Sequence, residues 1–251
     1  MKSGNAIRLL AIGAVFLVGS AGLYAEVADL LDEAAVAFEA GEFEQAINLY
    51  SDVIGEDDSL FEAWYNRAVA NMELGEYDAA VADFESAEEI DDEVDELYFQ
   101  RGTAHLRSGR YEAAVADYDR FLELSPDDVQ ALNNRGVARL RVGDVAAAVD
   151  DFSEAIERDE QFIQAWYNRG NARYELEDFE EAELDYTQAL SIDGDHIDAR
   201  FNRGNTRYAL SDFEGAIEDF TAVTAADETF TEAFYNLGLA YIRFAEQMQE
   251  N

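Results

Sequence analysis

The sequence predicts an all-α fold, a solenoid of stacked helix-turn-helix units, and three observations carry that prediction. A thirty-four-residue period runs through nearly all of the chain. Within each period apolar residues recur twice at helical spacing. The apolar content of 49%, in 251 residues with one Pro and no Cys, supplies a sizeable core without any disulfide.

Counting from Val27, residues 27–230 divide into six units without insertion (27–60, 61–94, 95–128, 129–162, 163–196 and 197–230), and a half-unit occupies 231–251. The recurrence is plainest where "NRGNARY" at 168–174 returns as "NRGNTRY" at 202–208. The first half of each unit reads as one helix; in unit 163–196 it carries Ile163, Trp166, Gly170 and Tyr174 at helical spacing. The second half reads as another, through Phe179, Ala182, Tyr186 and Ala189. Small residues in the eighth column (Ala34, Ala68, Gly102, Gly136, Gly170, Gly204, Gly238) and Ala throughout the twentieth let the two helices approach closely. The twenty-fourth column, from Tyr50 to Phe220, is always Tyr or Phe and fills the space beside them. Gly41, Gly75, Gly109 and Gly143, all in the fifteenth column, open the turn between the helices. No helix pair can bury its apolar face alone, so the units must stack. The half-unit is expected to cover the last face with Phe234, Leu237 and Tyr241 and to end on the polar "AEQMQEN".

The first 25 residues differ. Lys2 and Arg8 precede an uncharged stretch from Leu9 to Ala25, the pattern of a secretory signal with small residues before a cleavage point after Ala25. A short uncleaved anchor is the other reading. Either one exports the remainder, to the periplasm, the cell exterior or the outer face of the cytoplasmic membrane, because the positive charge holds the N-terminus inside. Removing residues 1–25 takes away two bases and no acid, leaving 56 acidic residues against 15 basic ones, all Arg. Such a surface repels nucleic acid and anionic lipid, so no nucleic-acid partner is expected, and membrane contact only through an uncleaved N-terminal segment. Two explanations of the acidity stand side by side: a proteome adapted to high salt, or a GC-rich genome with a solvated acidic surface.

An aromatic in the fourth and seventeenth columns, Gly in the eighth, Ala in the twentieth and an aromatic in the twenty-fourth resemble the tetratricopeptide repeat, over residues 27 to about 245. The resemblance implies a right-handed α-solenoid that serves as a protein–protein interaction scaffold and not as an enzyme. Two departures stand out. The family's Pro in the thirty-second column occurs once, as Pro126, which leaves the ends of the second helices open by a residue or two. Arg200 replaces the aromatic in the fourth, which is expected to weaken one contact between repeats.

The family's usual Leu in the seventh column is here Arg in five units: Arg67, Arg101, Arg135, Arg169 and Arg203. The twenty-third column is Asp in the same five: Asp83, Asp117, Asp151, Asp185 and Asp219. The first unit lacks both, with Glu33 and Leu49 in their places, and the half-unit has Leu237 and no second helix. Presence and absence agree within units, so each Arg is expected to bridge to the Asp of its own unit and to serve the fold rather than a ligand.

Catalytic and metal chemistry find no footing. His105 falls inside a first helix, His196 lies between units, and neither has the spacing of a metal site or a nucleophile–base pair. "DGD" at 193–195 lacks the later ligands of a calcium loop. No phosphate-binding glycine loop occurs, and no cofactor is expected.

The resemblance also implies where a partner sits: on the concave groove lined by the first helices. The groove columns carry Tyr65, Tyr167, Phe201 and Tyr235 in the fifth and Asn66, Asn134, Asn168, Asn202 and Asn236 in the sixth. Asn171 and Asn205 add amides in the ninth, and Tyr174 and Tyr208 rings in the twelfth. These residues are either consensus positions only or a binding surface whose amides match an extended backbone and whose acid favours a neutral-to-basic peptide or protein. The carboxylate clamp of other family members needs Lys, which the exported part lacks. A membrane-anchored envelope assembly factor, or the regulatory subunit of an envelope enzyme, remains the alternative.

Overall fold

The computed structural model describes residues 21–250, and residues 1–20 and 251 lie outside it. The expected signal or anchor therefore falls mostly beyond the described residues; its last five residues, 21–25, open the first helix. Among the described residues every regular element is a helix, and no helix is long and apolar enough to cross a membrane. The chain divides into two compact units, and the second begins at Pro126, the single proline of the sequence.

The first unit holds α1 (Ala21–Glu39), α2 (Phe43–Glu56), α3 (Phe61–Glu73), α4 (Tyr77–Ile90), α5 (Asp95–Arg107) and α6 (Tyr111–Leu124). The second holds α7 (Val129–Val142), α8 (Val145–Arg158), α9 (Ile163–Glu175), α10 (Phe179–Ile192), α11 (Ile197–Ala209), α12 (Phe213–Ala226) and α13 (Thr231–Glu250). Each odd-numbered helix from α1 to α11 packs on the even-numbered helix that follows it. The contact is set by side-chain size. The twenty-fourth-column rings Tyr50, Phe84, Tyr118, Phe152, Tyr186 and Phe220 are fully buried, and several lie flush against an eighth-column glycine. A Cβ added at Gly136 would sit 2.6 Å from Phe152 Cε1, and one at Gly170 would sit 2.7 Å from Tyr186 Cε1.

The turn inside each helix pair is a left-handed residue followed by a reverse hydrogen bond. Gly41, Gly75, Gly109 and Gly143 have φ between 79° and 89°, and the next residue's amide reaches five residues back, as in Glu42 N to Ala37 O at 2.9 Å. In the last two full units the same turn is made by Glu177 (φ 62°) and Ser211 (φ 63°). Here a Cβ is held where L-residues are strained.

The second helices end at one column whether or not a proline follows: Glu56, Ile90, Leu124, Arg158, Ile192 and Ala226. Where Pro is missing, an aspartate one column earlier closes the junction, its side chain accepting from the amide two residues on. Asp57 takes Ser59 N at 3.0 Å, Asp159 takes Gln161 N at 2.9 Å and Asp193 takes Asp195 N at 3.0 Å. The fourth-column side chain ties the next helix back to this loop. Trp64 Nε1 donates to Asp58 O and Trp166 Nε1 to Glu160 O, both at 2.9 Å. Arg200, in the same column, keeps such a tie: its Nη2 donates to Gly194 O, six residues back as in the tryptophans.

The final helix also departs from expectation. Ala233, Leu237 and Ala240 make its inner face, with Leu237 and Ala240 set against the Ala216 and Phe220 core. Phe234 and Tyr241 stay about half exposed, at 47% and 53%.

Candidate functional site

The first helices of the second unit lie side by side, α7 against α9, α9 against α11 and α11 against α13, and their amides join in a ladder. Asn168 Nδ2 donates to Asn133 Oδ1 at 2.8 Å. Asn202 Nδ2 donates to Asn171 Oδ1 at 2.9 Å and also reaches the Tyr167 hydroxyl at 3.3 Å. Asn236 Nδ2 donates to Asn205 Oδ1 at 2.8 Å. Asn171 Oδ1 also accepts from the buried Tyr186 hydroxyl at 2.8 Å, which ties the ladder to α10. Asn168, Asn202 and Asn236 thus each spend at least one N–H between repeats, while Asn171 and Asn205 spend the carbonyl oxygen, so each amide uses one end on its neighbour.

Rings flank the ladder. Tyr167 stacks on His196 with centroids 5.0 Å apart, and that imidazole caps α11 through Nδ1, which accepts from Ala199 N at 3.2 Å. Phe201 packs against Phe220 and Phe230. Tyr174 and Tyr208 meet Phe179 and Phe213 edge-on. Tyr174 and Tyr235 are the exposed rings of the set, Tyr235 at 68%. Asn134 lies beside Asn133, accepting from it at 3.4 Å.

The first unit does not offer the same surface. Tyr65 is fully buried, stacked on Phe61 and edge-on to Phe84, and its hydroxyl is held un-ionised by burial and by the nearby Glu96 and Asp95. Asn66 is buried too. Both are corrected from groove residues to interior ones. The physical reason is that Phe61 opens α3 with a large ring that roofs its own helix, where Ile163 and Ile197 open α9 and α11.

The arginine columns form ion pairs inside each unit. Arg67 Nη2 lies 2.6 Å from Asp83 Oδ1, Arg101 Nη2 2.8 Å from Asp117, Arg135 Nη2 2.7 Å from Asp151, Arg169 Nη2 2.8 Å from Asp185 and Arg203 Nη2 2.6 Å from Asp219. The carboxylates are buried. Each joins the two helices of one repeat. Sequence reasoning missed two further partners. The free guanidinium nitrogen also reaches the preceding second helix: Arg67 Nη1 to Ser51 Oγ and Arg169 Nη1 to Ser153 Oγ at 2.9 Å, Arg203 Nη1 to Thr187 Oγ1 at 3.2 Å, and Arg101 Nη1 to Glu88. The eleventh column supplies a second donor to the same Asp: Asn71 at 3.1 Å, Arg139 at 2.8 Å, Arg173 at 2.7 Å and Arg207 at 2.9 Å. Reading that column beside the seventh would have exposed it, since Arg fills both in three consecutive units. His105 is the exception, its Nε2 3.6 Å from Asp117.

Among the described residues no His, Asp and Glu cluster could hold a metal ion. What this surface provides is hydrogen bonding, ring faces and acid.

The tetratricopeptide-repeat model matches residues 31–94, 99–161 and 201–244, and a second model of the same repeat matches 163–196. The chain belongs to the tetratricopeptide-repeat family. Among solved structures this repeat protein is similar to MamA, residues 41 to the end, from Desulfovibrio magneticus RS-1, at 16% identity over 68% of this chain and 97% of that one, TM-score 0.66. It is similar to YrrB, described as a TPR protein with an unusual peptide-binding site, at 19% identity over 74% and 96%, TM-score 0.64. It is similar also to PilW, a type IV pilus biogenesis factor, at 19% identity over 86% and 98%, TM-score 0.69. At these identities the likeness is one of fold, an all-α solenoid of helical repeats. No curated protein sequence matches the chain.

Proposed function

We propose that this tetratricopeptide-repeat protein is an exported interaction scaffold whose second unit holds an extended, neutral-to-basic segment of a partner along α7, α9, α11 and α13. The observation that carries the reading is the amide ladder itself. Each amide is held by its neighbour through one end and keeps hydrogen-bonding capacity at the other, oxygens on Asn168, Asn202 and Asn236 and NH2 groups on Asn171 and Asn205, in a chain of formal charge −39. An extended backbone, with alternating N–H and C=O groups, fits such a row, and the surrounding acid favours Lys or Arg side chains that stack on the exposed Tyr174 and Tyr235. YrrB, described as carrying a peptide-binding site, makes peptide capture a reasonable use of the fold.

The test is a set of extended peptides of equal length, basic, neutral and acidic, titrated against the full chain. Basic and neutral peptides should bind and acidic ones should not. Replacing Tyr174 and Tyr235 with Ala leaves the ladder intact and should weaken binding about 10-fold, the worth of one or two ring–cation contacts. Equal binding of acidic and basic peptides, or indifference to the two tyrosines, would overturn the reading. Export is tested separately by cell fractionation with N-terminal sequencing: a start near Glu26 outside the cytoplasm supports it, and a cytoplasmic chain that keeps Met1 refutes it.

A further inference from the structure

In α5, α7, α9 and α11 the eighth-column glycine is roofed by a ring of the helix that follows: Tyr118, Phe152, Tyr186 or Phe220 stands within 2.6–3.1 Å of where a Cβ would be. Gly238 holds the same column in α13, and a Cβ there would meet nothing within 4 Å. Among the described residues no helix lies over that space. Ala245 stands in the fifteenth column, where every other first helix has already given way to the left-handed turn, and α13 runs on through it to Glu250.

The uncovered face has a pattern. Phe234, Gly238, Tyr241, Ala245 and Met248 follow one another at spacings of four, three, four and three, the a/d spacing of helices that pack along one seam. At about 100° per residue they span an arc of roughly 80°, and all five are exposed, with Phe234 at 47%, Tyr241 at 53% and Met248 at 64%. Glu232, Arg243 and Glu246 lie outside that arc. A charge-free apolar stripe on a chain of −39 is a surface made for contact.

We propose that the stripe joins two copies of this chain, α13 packing antiparallel on α13 of the second copy about a two-fold axis between residues 239 and 240. The sizes of the side chains select that arrangement. In this register Gly238 faces Tyr241 of the second copy, Phe234 faces Ala245 and Thr231 faces Met248, so a small residue meets a large one at every step and each pairing occurs twice. The Tyr241 ring takes the place over Gly238 that Tyr186 takes over Gly170. A parallel pairing sets Tyr against Tyr and Gly against Gly, which crowds one level and leaves a void at the next. The even-numbered helices of this chain are poorer occupants: α4, α6, α8, α10 and α12 each carry Asp beside the ring, with Leu237 and Tyr241 standing where the arginines that neutralise it would be, and α2, which has Leu49 there, already buries its ring Tyr50 on Ala34 and Ala37 of α1. Repulsion between two acidic chains opposes association, so it strengthens as salt screens the charges.

Sedimentation velocity of the full chain at several concentrations and two salt levels should show a species of twice the mass, growing with concentration and with salt. Gly238→Leu puts a side chain where the single chain has open space and removes a mid-helix glycine, so the fold tolerates it, but in the dimer it meets Tyr241 of the second copy. It should weaken association at least 10-fold while the thermal melt by circular dichroism is unchanged or raised. Because the chain has no Cys, register is read directly: an equal mixture of Thr231→Cys and Met248→Cys chains should form the mixed disulfide in preference to either like pair. A single-chain mass under all conditions overturns the proposal. So does a dimer that Gly238→Leu leaves intact, or one whose crosslinks favour like positions.

Discussion

Arg173 shares the Asp185 carboxylate with Arg169: Arg173 Nη1 and Arg169 Nε reach Oδ2 at 2.7 and 3.0 Å, and Arg169 Nη2 reaches Oδ1 at 2.8 Å. One buried anion therefore holds two guanidiniums, and α9 is fastened to α10 at two levels, a turn apart. Asp185→Leu strands both cations and should cost on the order of 3–5 kcal/mol. Adding Arg169→Leu recovers only part of that, since Arg173 stays unpaired; adding Arg173→Leu as well should recover most of it. Asp83→Leu, where the second donor is the neutral Asn71, should cost less than Asp185→Leu. Denaturant unfolding of the series decides, and losses that simply add from one variant to the next would refute the shared site.

Glu177 and Ser211 adopt the left-handed turn that glycine makes in four other units. A Cβ in that conformation costs about 1–2 kcal/mol, offset in part by the extra freedom glycine brings to the unfolded chain. Glu177→Gly and Ser211→Gly should therefore each stabilise the second unit by about 0.5–1 kcal/mol. The converse change, Gly143→Ala, should destabilise by a similar amount. Melting curves of the three variants check both signs together.

These examples show which parts of the structure could be read in advance. The helix pairs were legible because the period repeats the same packing six times, and a column of Ala or Gly facing a column of Tyr or Phe has one steric meaning. The turns at Glu177 and Ser211 were not marked by residue type; only their place in the period gives them away. The Asn ladder was legible as a row of amides but not as a bonded one, since whether an amide reaches the next repeat depends on neighbours in space that the columns do not show, such as the Tyr186 hydroxyl on Asn171. Tyr65 shows the opposite failure. Its column marks it as a surface ring, and one bulky neighbour, Phe61, buries it.

His105 stands where later repeats place arginine, and it stays neutral. Burial pushes its pKa down to about 4, with Arg110 and Arg101 adding to the effect and Glu85 opposing it. The folded chain refuses a proton that an unfolded histidine, with its ordinary value near 6.5, accepts. Its contribution is thus complete above about pH 6.5 and lost as the pH falls towards 4. Asp117 works the other way: burial raises its pKa despite Arg101, so acid favours its folded form. His105→Gln keeps Asp117 and removes the histidine. The stability difference between wild type and this variant should shift against the wild type as the pH drops from 7 to 4. A difference that stays constant over that range would mean His105 titrates normally.

The amide ladder makes a prediction that separates binding from packing. Asn202 donates to both Asn171 and Tyr167 and so ties α11 to α9. Asn202→Ala removes both bonds and leaves a partly buried carbonyl oxygen on Asn171 with the Tyr186 hydroxyl alone. It should cost about 1–2 kcal/mol of stability in the second unit. Asn202→Asp keeps an acceptor but turns the donor into a carboxylate facing the Asn171 oxygen, and should cost at least as much. Asn134, which makes no bond to another helix within its unit, should tolerate Ala at less than about 0.5 kcal/mol. Hydrogen exchange in α9 and α11 locates the loss. Faster exchange confined to those two helices in Asn202→Ala places the amides as struts between repeats. Unaltered exchange there, with weakened peptide binding, would return them to the role of free ligand-binding groups.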